Sequence, residues 1–239
     1  MRPLALLPLL CALSCASASP IPDADRARLE TELTGKSRFL RISVFKGPFW
    51  SDDGKLLLSA APPTEVALFT DAHGADVSGP APTGIIPAGR RVRIDRVELP
   101  TGAVVIGRLP FTPRYNPWVY LTVEGETQKP AVLVLRSSLK SHDQFEAALD
   151  RLLTVEDPSA RIAAYPADVQ RAIEQKQVVR DMDPEAVTMA WGAPERRSID
   201  DAKRTESWSY GAGKRVVSFS EGKVVRVEQP AAAASGTTP

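Results

Sequence analysis

The stretch Val178–Arg197, VVRDMDPEAVTMAWGAPERR, decides how the C-terminal part of this chain is read. Asp183 is an N-capping carboxylate, Pro184 follows at the first helical position, and Glu185 puts a second acid in the first turn. Val187, Ala190 and Trp191 then fall at i, i+3 and i+4, and Gly192 with Pro194 ends the helix. Working back, Pro166 opens an earlier helix whose apolar side is Val169, Ala172 and Ile173. Working forward past a polar turn, Glu206–Tyr210, Arg215–Ser220 and Lys223–Glu228 each alternate with a period of two, the last two joined at Glu221-Gly222. The spacing predicts two short helices and three short strands over Tyr165–Glu228, with one sheet face buried under the helices. Trp191, Trp208, Tyr210 and Phe219 read as the core of that unit.

The succession of VVRDMDPEAVTMAWGAPERR, ESWSYG (206–211), VVSFS (216–220) and EGKVVRV (221–227) resembles the BamE-like (SmpA/OmlA) outer-membrane lipoprotein domain. That family shows a GMT-type turn, a helix ending in G-x-P, a W-x-Y strand, and an apolar-x-F strand before GKV. Asp181 stands here where the family has the glycine before methionine. The resemblance implies a non-catalytic αα-βββ module of the bacterial cell envelope, used for protein–protein contact. The same simple architecture is also similar to that of secreted β-lactamase-inhibitor proteins. Fold analogy alone does not carry function.

At the other end, Arg2, the apolar run Leu4–Leu13 and the small residues Ser14-Cys15-Ala16-Ser17-Ala18 have the order of a secretory signal. Two exits compete, cleavage before Ser19 after Ala16-Ser17-Ala18, and a lipoprotein-type cleavage before Cys15. Ala12-Leu13-Ser14-Cys15 resembles a bacterial lipobox, with Ala12 where leucine is usual, which makes Cys15 the candidate lipidated residue. By the same resemblance, Ala16 carries no inner-membrane retention aspartate, so the expected site is the periplasmic face of the outer membrane, or the soluble periplasm if Cys15 is not used. Both cysteines, Cys11 and Cys15, lie in this leader, so the remainder holds no disulfide and no thiolate metal site.

The formal charge of the whole chain is +1, and without Arg2 it is zero. Cations and acids are interspersed, which argues against nucleic acid as a partner. Arg90, Arg91, Arg93 and Arg96 alternate with Val92 and Ile94 and read as the solvated face of a strand. From Arg38 to Arg136, short strands alternate with proline and glycine turns: Leu40/Ile42/Val44, Lys55–Ser59, Val66–Thr70, Val92/Ile94, Val104–Ile106, Val119–Val123 and Val132–Leu135. Asp52-Asp53-Gly54 reads as a hairpin turn. GIIPAGRRVRIDRVELP (84–100) followed by NPWVYL (116–121) weakly resembles a bacterial SH3-type barrel. Ser141-x-x-Gln144 is a capping box, and Phe145, Ala148, Leu149, Leu152 and Leu153 continue at helical spacing, a stripe that must dock either on the barrel or on the C-terminal module.

The expected class is therefore α+β, with a small antiparallel β-barrel, a bridging helix and an αα-βββ module. The segments are a signal peptide (1–18), a polar tether (19–37) that is helix-compatible around Ala24–Leu33, an SH3-like barrel (38–136), the bridging helix (137–157), the BamE-like module (158–229) and a disordered tail (230–239).

Chemistry is scarce. There is no H-E-x-x-H, calcium loop, phosphate loop or dinucleotide fingerprint, so neither metal, cofactor nor catalytic residue is expected. His73 lies in a loop. Ser141-His142-Asp143 names the members of a catalytic triad, but sequence neighbours rarely reach triad geometry, and capping accounts for Ser141. The segment Leu109–Leu121, LPFTPRYNPWVYL, is the candidate binding surface. Its three prolines stiffen the backbone around Phe111, Tyr115 and Trp118, flanked by Arg108 and Arg114, a composition typical of binding hot spots. The plain alternative is that Phe111 and Trp118 plug the barrel end. The sequence reads best as an envelope lipoprotein that binds a protein partner and meets the membrane through its lipid. The alternative is a periplasmic cell-wall-binding or inhibitor-like module that uses this loop on peptidoglycan or a target protein.

Overall fold

The computed structural model describes residues 19–70, 75–126 and 129–229. The leader with Cys15, the loop residue His73 and the C-terminal tail lie outside the described residues. The fold is α+β. Among the described residues, the first part of the chain forms α1 (Asp23–Leu33), β1 (Ser37–Leu40), β2 (Val44–Phe49), β3 (Asp52–Ser59), β4 (Ala67–Thr70), β5 (Asp76–Ser78), β6 (Gly84–Ile86) and β7 (Arg91–Glu98). It continues with α2 (Gly102–Gly107), β8 (Trp118–Val123), β9 (Ala131–Val134), α3 (His142–Asp150) and β10 (Leu153–Thr154).

Eight of these strands join in one curled sheet, in the order β10-β1-β7-β8-β9-β3-β2-β6, and β4 pairs with β5 in a separate ribbon. Among the described residues β10 and β6 are the unpaired ends of that order, so the sheet is a curled half-barrel where a small β-barrel was expected. Nor is it antiparallel throughout: Leu56–Leu58 of β3 runs parallel to Ala131–Leu133 of β9. Parallel neighbours need a long crossover, and here it runs through β7, α2 and β8.

Strand β8 explains why this sheet has two cores. Val119 and Leu121 face one side with Ile94, Leu58 and Leu133, while Trp118 and Tyr120 face the other with Phe49, Leu57 and Val132. Strand β7 shows the expected alternation, with Val92, Ile94 and Val97 buried and Arg91, Arg93 and Arg96 outward.

Several expectations are corrected. The helix-compatible stretch around Ala24–Leu33 is α1, but it is not part of a tether, because its Leu29 and Leu33 are fully or almost fully buried in the main core. The bridging helix, α3, takes the first of its two expected docking places, packing into that same core through Phe145 and Leu149 beside α1, but it ends at Asp150 and Leu153 pairs with Leu40 in β10. Val104–Ile106 is helical in α2, where the Thr101 hydroxyl caps the Val104 amide. The β2–β3 turn falls at Trp50-Ser51, and Asp52–Gly54 already belong to β3. Leu40, Ile42 and Val44 are all buried but do not form one strand, because the chain turns a corner between β1 and β2.

The second part holds α4 (Ser159–Ala163), α5 (Ala167–Glu174), α6 (Pro184–Trp191), β11 (Arg196–Asp200), β12 (Thr205–Tyr210), β13 (Arg215–Ser220) and β14 (Lys223–Glu228). The Asp183 carboxylate accepts from Ala186 N–H, Pro184 opens α6 and Gly192 ends it at φ 87°. The sheet is a four-stranded antiparallel meander, β11-β12-β13-β14, one strand more than expected. Trp208, Tyr210, Val217, Phe219 and Val224 pack from this sheet against Val169, Ile173, Val187 and Trp191.

The two parts meet along a seam. Ser43, at the corner between β1 and β2, gives its N–H to Met189 O and its hydroxyl to Ile173 O. The same hydroxyl accepts from Ala88 N–H. Ala88 itself belongs to the second core. Among the described residues no helix is long and apolar enough to cross a membrane.

Candidate functional site

The link between β7 and β8 carries the segment singled out in the sequence, and its base is tightly held. Arg108 is only 7 % exposed. Its Nε donates to Glu98 Oε1 at 2.8 Å and its terminal nitrogens donate to the carbonyls of Glu98, Arg114 and Asn116 at 2.7–3.1 Å. The guanidinium also lies 3.7 Å from the centroid of Trp118. Burial pulls this guanidinium below its usual pKa, with the Glu98 carboxylate opposing that shift. Asn116 donates to Leu135 O and Trp118 Nε1 donates to Pro113 O. Arg114 reaches back to Val105 O, tying the loop to α2. Such charge-assisted bonds to several backbone carbonyls fix a loop that would otherwise be free.

The tip presents what the base does not need. Ile106 is 80 % exposed, Phe111 75 %, Tyr115 55 % and Leu109 45 %. Single exposed hydrophobes are ordinary, but three large ones on one braced loop, with a fourth, Ile106, at the end of α2 that leads into it, are not. Of the five residues expected to form the surface, Phe111 and Tyr115 face solvent. Arg108 and Trp118 do not; they are the buried brace beneath the tip. Arg114 is half-buried and lies 5.8 Å from the Tyr115 ring. Ile106 and Leu109 were not expected at the surface. A strand reading of Val104–Ile106 hid the first, and the second opens the segment singled out in the sequence but was passed over for its aromatic and arginine residues.

Two titratable centres lie elsewhere. Ser141 is spent as the cap of α3, accepting from Gln144 N–H, so no triad forms. His142 is 4 % exposed and faces Glu32 instead, with Nε2 to Oε2 at 2.8 Å. Its Nδ1 lies 3.2 Å from Asp143 Oδ1 and 3.7 Å from Glu146 Oε2. The Glu32 bond raises the imidazole above its ordinary pKa, while Arg28 first and His142 second hold the Glu32 carboxyl below its own. Glu32 is 110 positions from His142, which is why spacing did not reveal the pair.

The second centre is Lys176 in the seam. Its Nζ donates to Ser43 O at 2.6 Å and Ala190 O at 2.9 Å, so it joins the β1–β2 corner to the last turn of α6. Burial, reinforced by Arg215, lowers its pKa to about 7. Its surroundings are the rings of Phe45 and, through its own carbonyl, Trp191. A depressed lysine is a nucleophile where substrate can reach it, but this one is walled in by the seam.

Comparisons with protein-family models, with curated proteins and with solved structures each find no match to the chain.

Proposed function

We propose that the protein is an exported, non-catalytic cell-envelope lipoprotein that acts as a binding accessory at the outer membrane, with the tip of the β7–β8 loop docking an envelope protein. The observation that carries the reading is the tip itself, where an internally braced loop holds out Leu109, Phe111 and Tyr115 after Ile106 at the end of α2. Fully burying each on a partner contributes roughly 1.5–3 kcal/mol. Because the loop is already ordered, little further entropy is lost on docking.

The rest of the reading is supported by the C-terminal part. Helices α5 and α6 followed by the antiparallel strands β12, β13 and β14, with α4 and β11 added to that pattern, fit a relation to the BamE-like domain and, through it, a role in outer-membrane protein assembly. Asp181 strengthens that relation. It takes a left-handed φ of 66° at the place of the family glycine, a conformation that aspartate tolerates better than most residues. The membrane part rests on Cys15 and its lipobox-like neighbours.

A photo-crosslinking residue at Phe111 or Tyr115, in cells fed labelled palmitate, tests both parts. We expect a specific envelope-protein adduct that Ile106→Ser disrupts, and label that Cys15→Ser removes but Cys11→Ser does not. A folded protein that gives no adduct at either position refutes the docking surface, as does retention of peptidoglycan fragments alone. Unlabelled protein beginning at Ser19 refutes the lipid anchor.

A further inference from the structure

Glu32, His142 and Glu146 place one imidazole and two carboxylates together on the faces of α1 and α3, with ligand atoms all within 4.8 Å of one another. We propose that these three residues bind a divalent cation of the zinc class, which straps α1 to α3. The backbone that carries them is fixed from below: Leu29 and Leu33 on α1 and Phe145 and Leu149 on α3 are buried in the main core. The Asp25 carboxylate also accepts from His142 N–H, a second tie between the two helices.

His142 and Glu146 stand at i and i+4, the spacing that puts two ligands on one helical face. Asp143 lies 3.2 Å from His142 Nδ1. Nε2–H donates to Glu32, and the cation takes the place of that proton, which is released; the proton held on Nδ1 toward Asp143 is then the outer-shell arrangement that fixes the tautomer of a metal-bound histidine. Tetrahedral ligands at about 2.0–2.2 Å from zinc stand roughly 3.3–3.6 Å apart. The 2.8 Å separation of His142 Nε2 and Glu32 Oε2 therefore opens by roughly 0.5–0.8 Å, and Glu146 swings in from the Nδ1 side. Both glutamates are two-fifths exposed and have room for this, whereas the imidazole is fixed. A neutral imidazole with two carboxylates suits a borderline cation better than a hard one. Three protein ligands leave one position for water. Two carboxylate charges are neutralised by the ion, with Arg28 already on the far oxygen of Glu32.

The test uses the full chain freed of metal with EDTA and titrated with zinc chloride by calorimetry, with cobalt(II) absorption as the spectroscopic readout. The expected result is one ion per chain, four-coordinate cobalt bands, and a melting temperature that rises on zinc addition. His142→Gln and Glu146→Gln should each weaken binding about tenfold or more. Glu146 is exposed enough that its variant folds even where His142→Gln does not. Absence of saturable one-to-one binding to the folded chain overturns the proposal. So does binding that Glu146→Gln leaves unchanged. A His142→Gln variant that melts earlier but in which native and variant alike ignore zinc also overturns it, leaving His142 as a hydrogen-bonded pin between the helices.

Discussion

Lys176 is the residue whose burial is hardest to reconcile with its charge. Among the described residues it has no carboxylate partner, only the carbonyls of Ser43 and Ala190. A neutral amine has two N–H donors, so it can keep both bonds after losing its proton. Burial and Arg215 bring the folded-state pKa from 10.5 to about 7. Between those values the unfolded chain holds a proton that the folded chain does not, so stability rises with pH across that window. Below about pH 7 the folded protein buries a full ammonium, and its cost is then greatest. The stability difference between the native chain and Lys176→Met should therefore move in favour of the native chain from pH 7 to pH 10, with a slope approaching about 1.4 kcal/mol per pH unit. Denaturant midpoints for the two proteins at pH 7, 8 and 9 measure this. Parallel curves would show that the amine is not depressed.

The β7–β8 loop divides its side chains between brace and tip, and the two should answer differently to mutation. Arg108→Ala leaves the carbonyls of Arg114 and Asn116, both seated on its guanidinium, without their donor. It also removes the cation from Trp118 and strands Glu98, which is itself partly exposed. We expect a loss of roughly 2–3 kcal/mol, measured by denaturant unfolding. Phe111→Ala, at an exposed site, should stay within about 0.5 kcal/mol of the native chain. Equal costs for both would mean that Phe111 is packed and the tip is not a free surface. This division also marks where the sequence stopped being legible. Five aromatics and arginines in a proline-rich stretch announce a special segment, but burial of Trp118 and exposure of Phe111 depend on strands that arrive from elsewhere in the chain.

The same limit runs through the other elements. β12, β13 and β14 were readable because a half-buried sheet writes its burial as a two-residue alternation. β11 lacks that signature, since four of its five residues are exposed. α1 is polar except for Leu29 and Leu33, too few apolar positions to announce a packed helix. In α2 the run Val104-Val105-Ile106 has strand propensity, and the Thr101 cap and the loop brace override it. Likewise, the partner that brings His142 and Glu32 together is a helix packing, which no local pattern encodes.

At the scale of the whole molecule, the question is whether the C-terminal helices and meander stand alone, as their sequence pattern invites one to think. The seam argues against it. Ala88, from the first part of the chain, lies in the second core, and across the boundary Ser43 donates to Ile173 O and Met189 O while its carbonyl accepts from Lys176 Nζ, at 2.6–2.8 Å. Gly192 makes the approach close: a Cβ there would sit 3.3 Å from Ile42 Cδ1, in a backbone conformation that already favours glycine. Separating the halves would expose these polar groups together with the apolar surface around them, so each half stabilises the other. Trp208→Ala probes this coupling because its ring is buried wholly within the second core, 4.9 Å from Phe219. Losing it should cost about 3–5 kcal/mol, a fall in melting temperature of roughly 10 °C. If the seam couples the halves, the near-ultraviolet signal of the Trp118 cluster in the first part should melt at the same lowered temperature as the rest. The isolated segment Tyr165–Glu228 should in turn melt below the intact chain. A Trp118 cluster that keeps its native melting temperature while the second part unfolds early would mean two independent domains in passive contact, with Lys176 buried by proximity and not by cooperative folding.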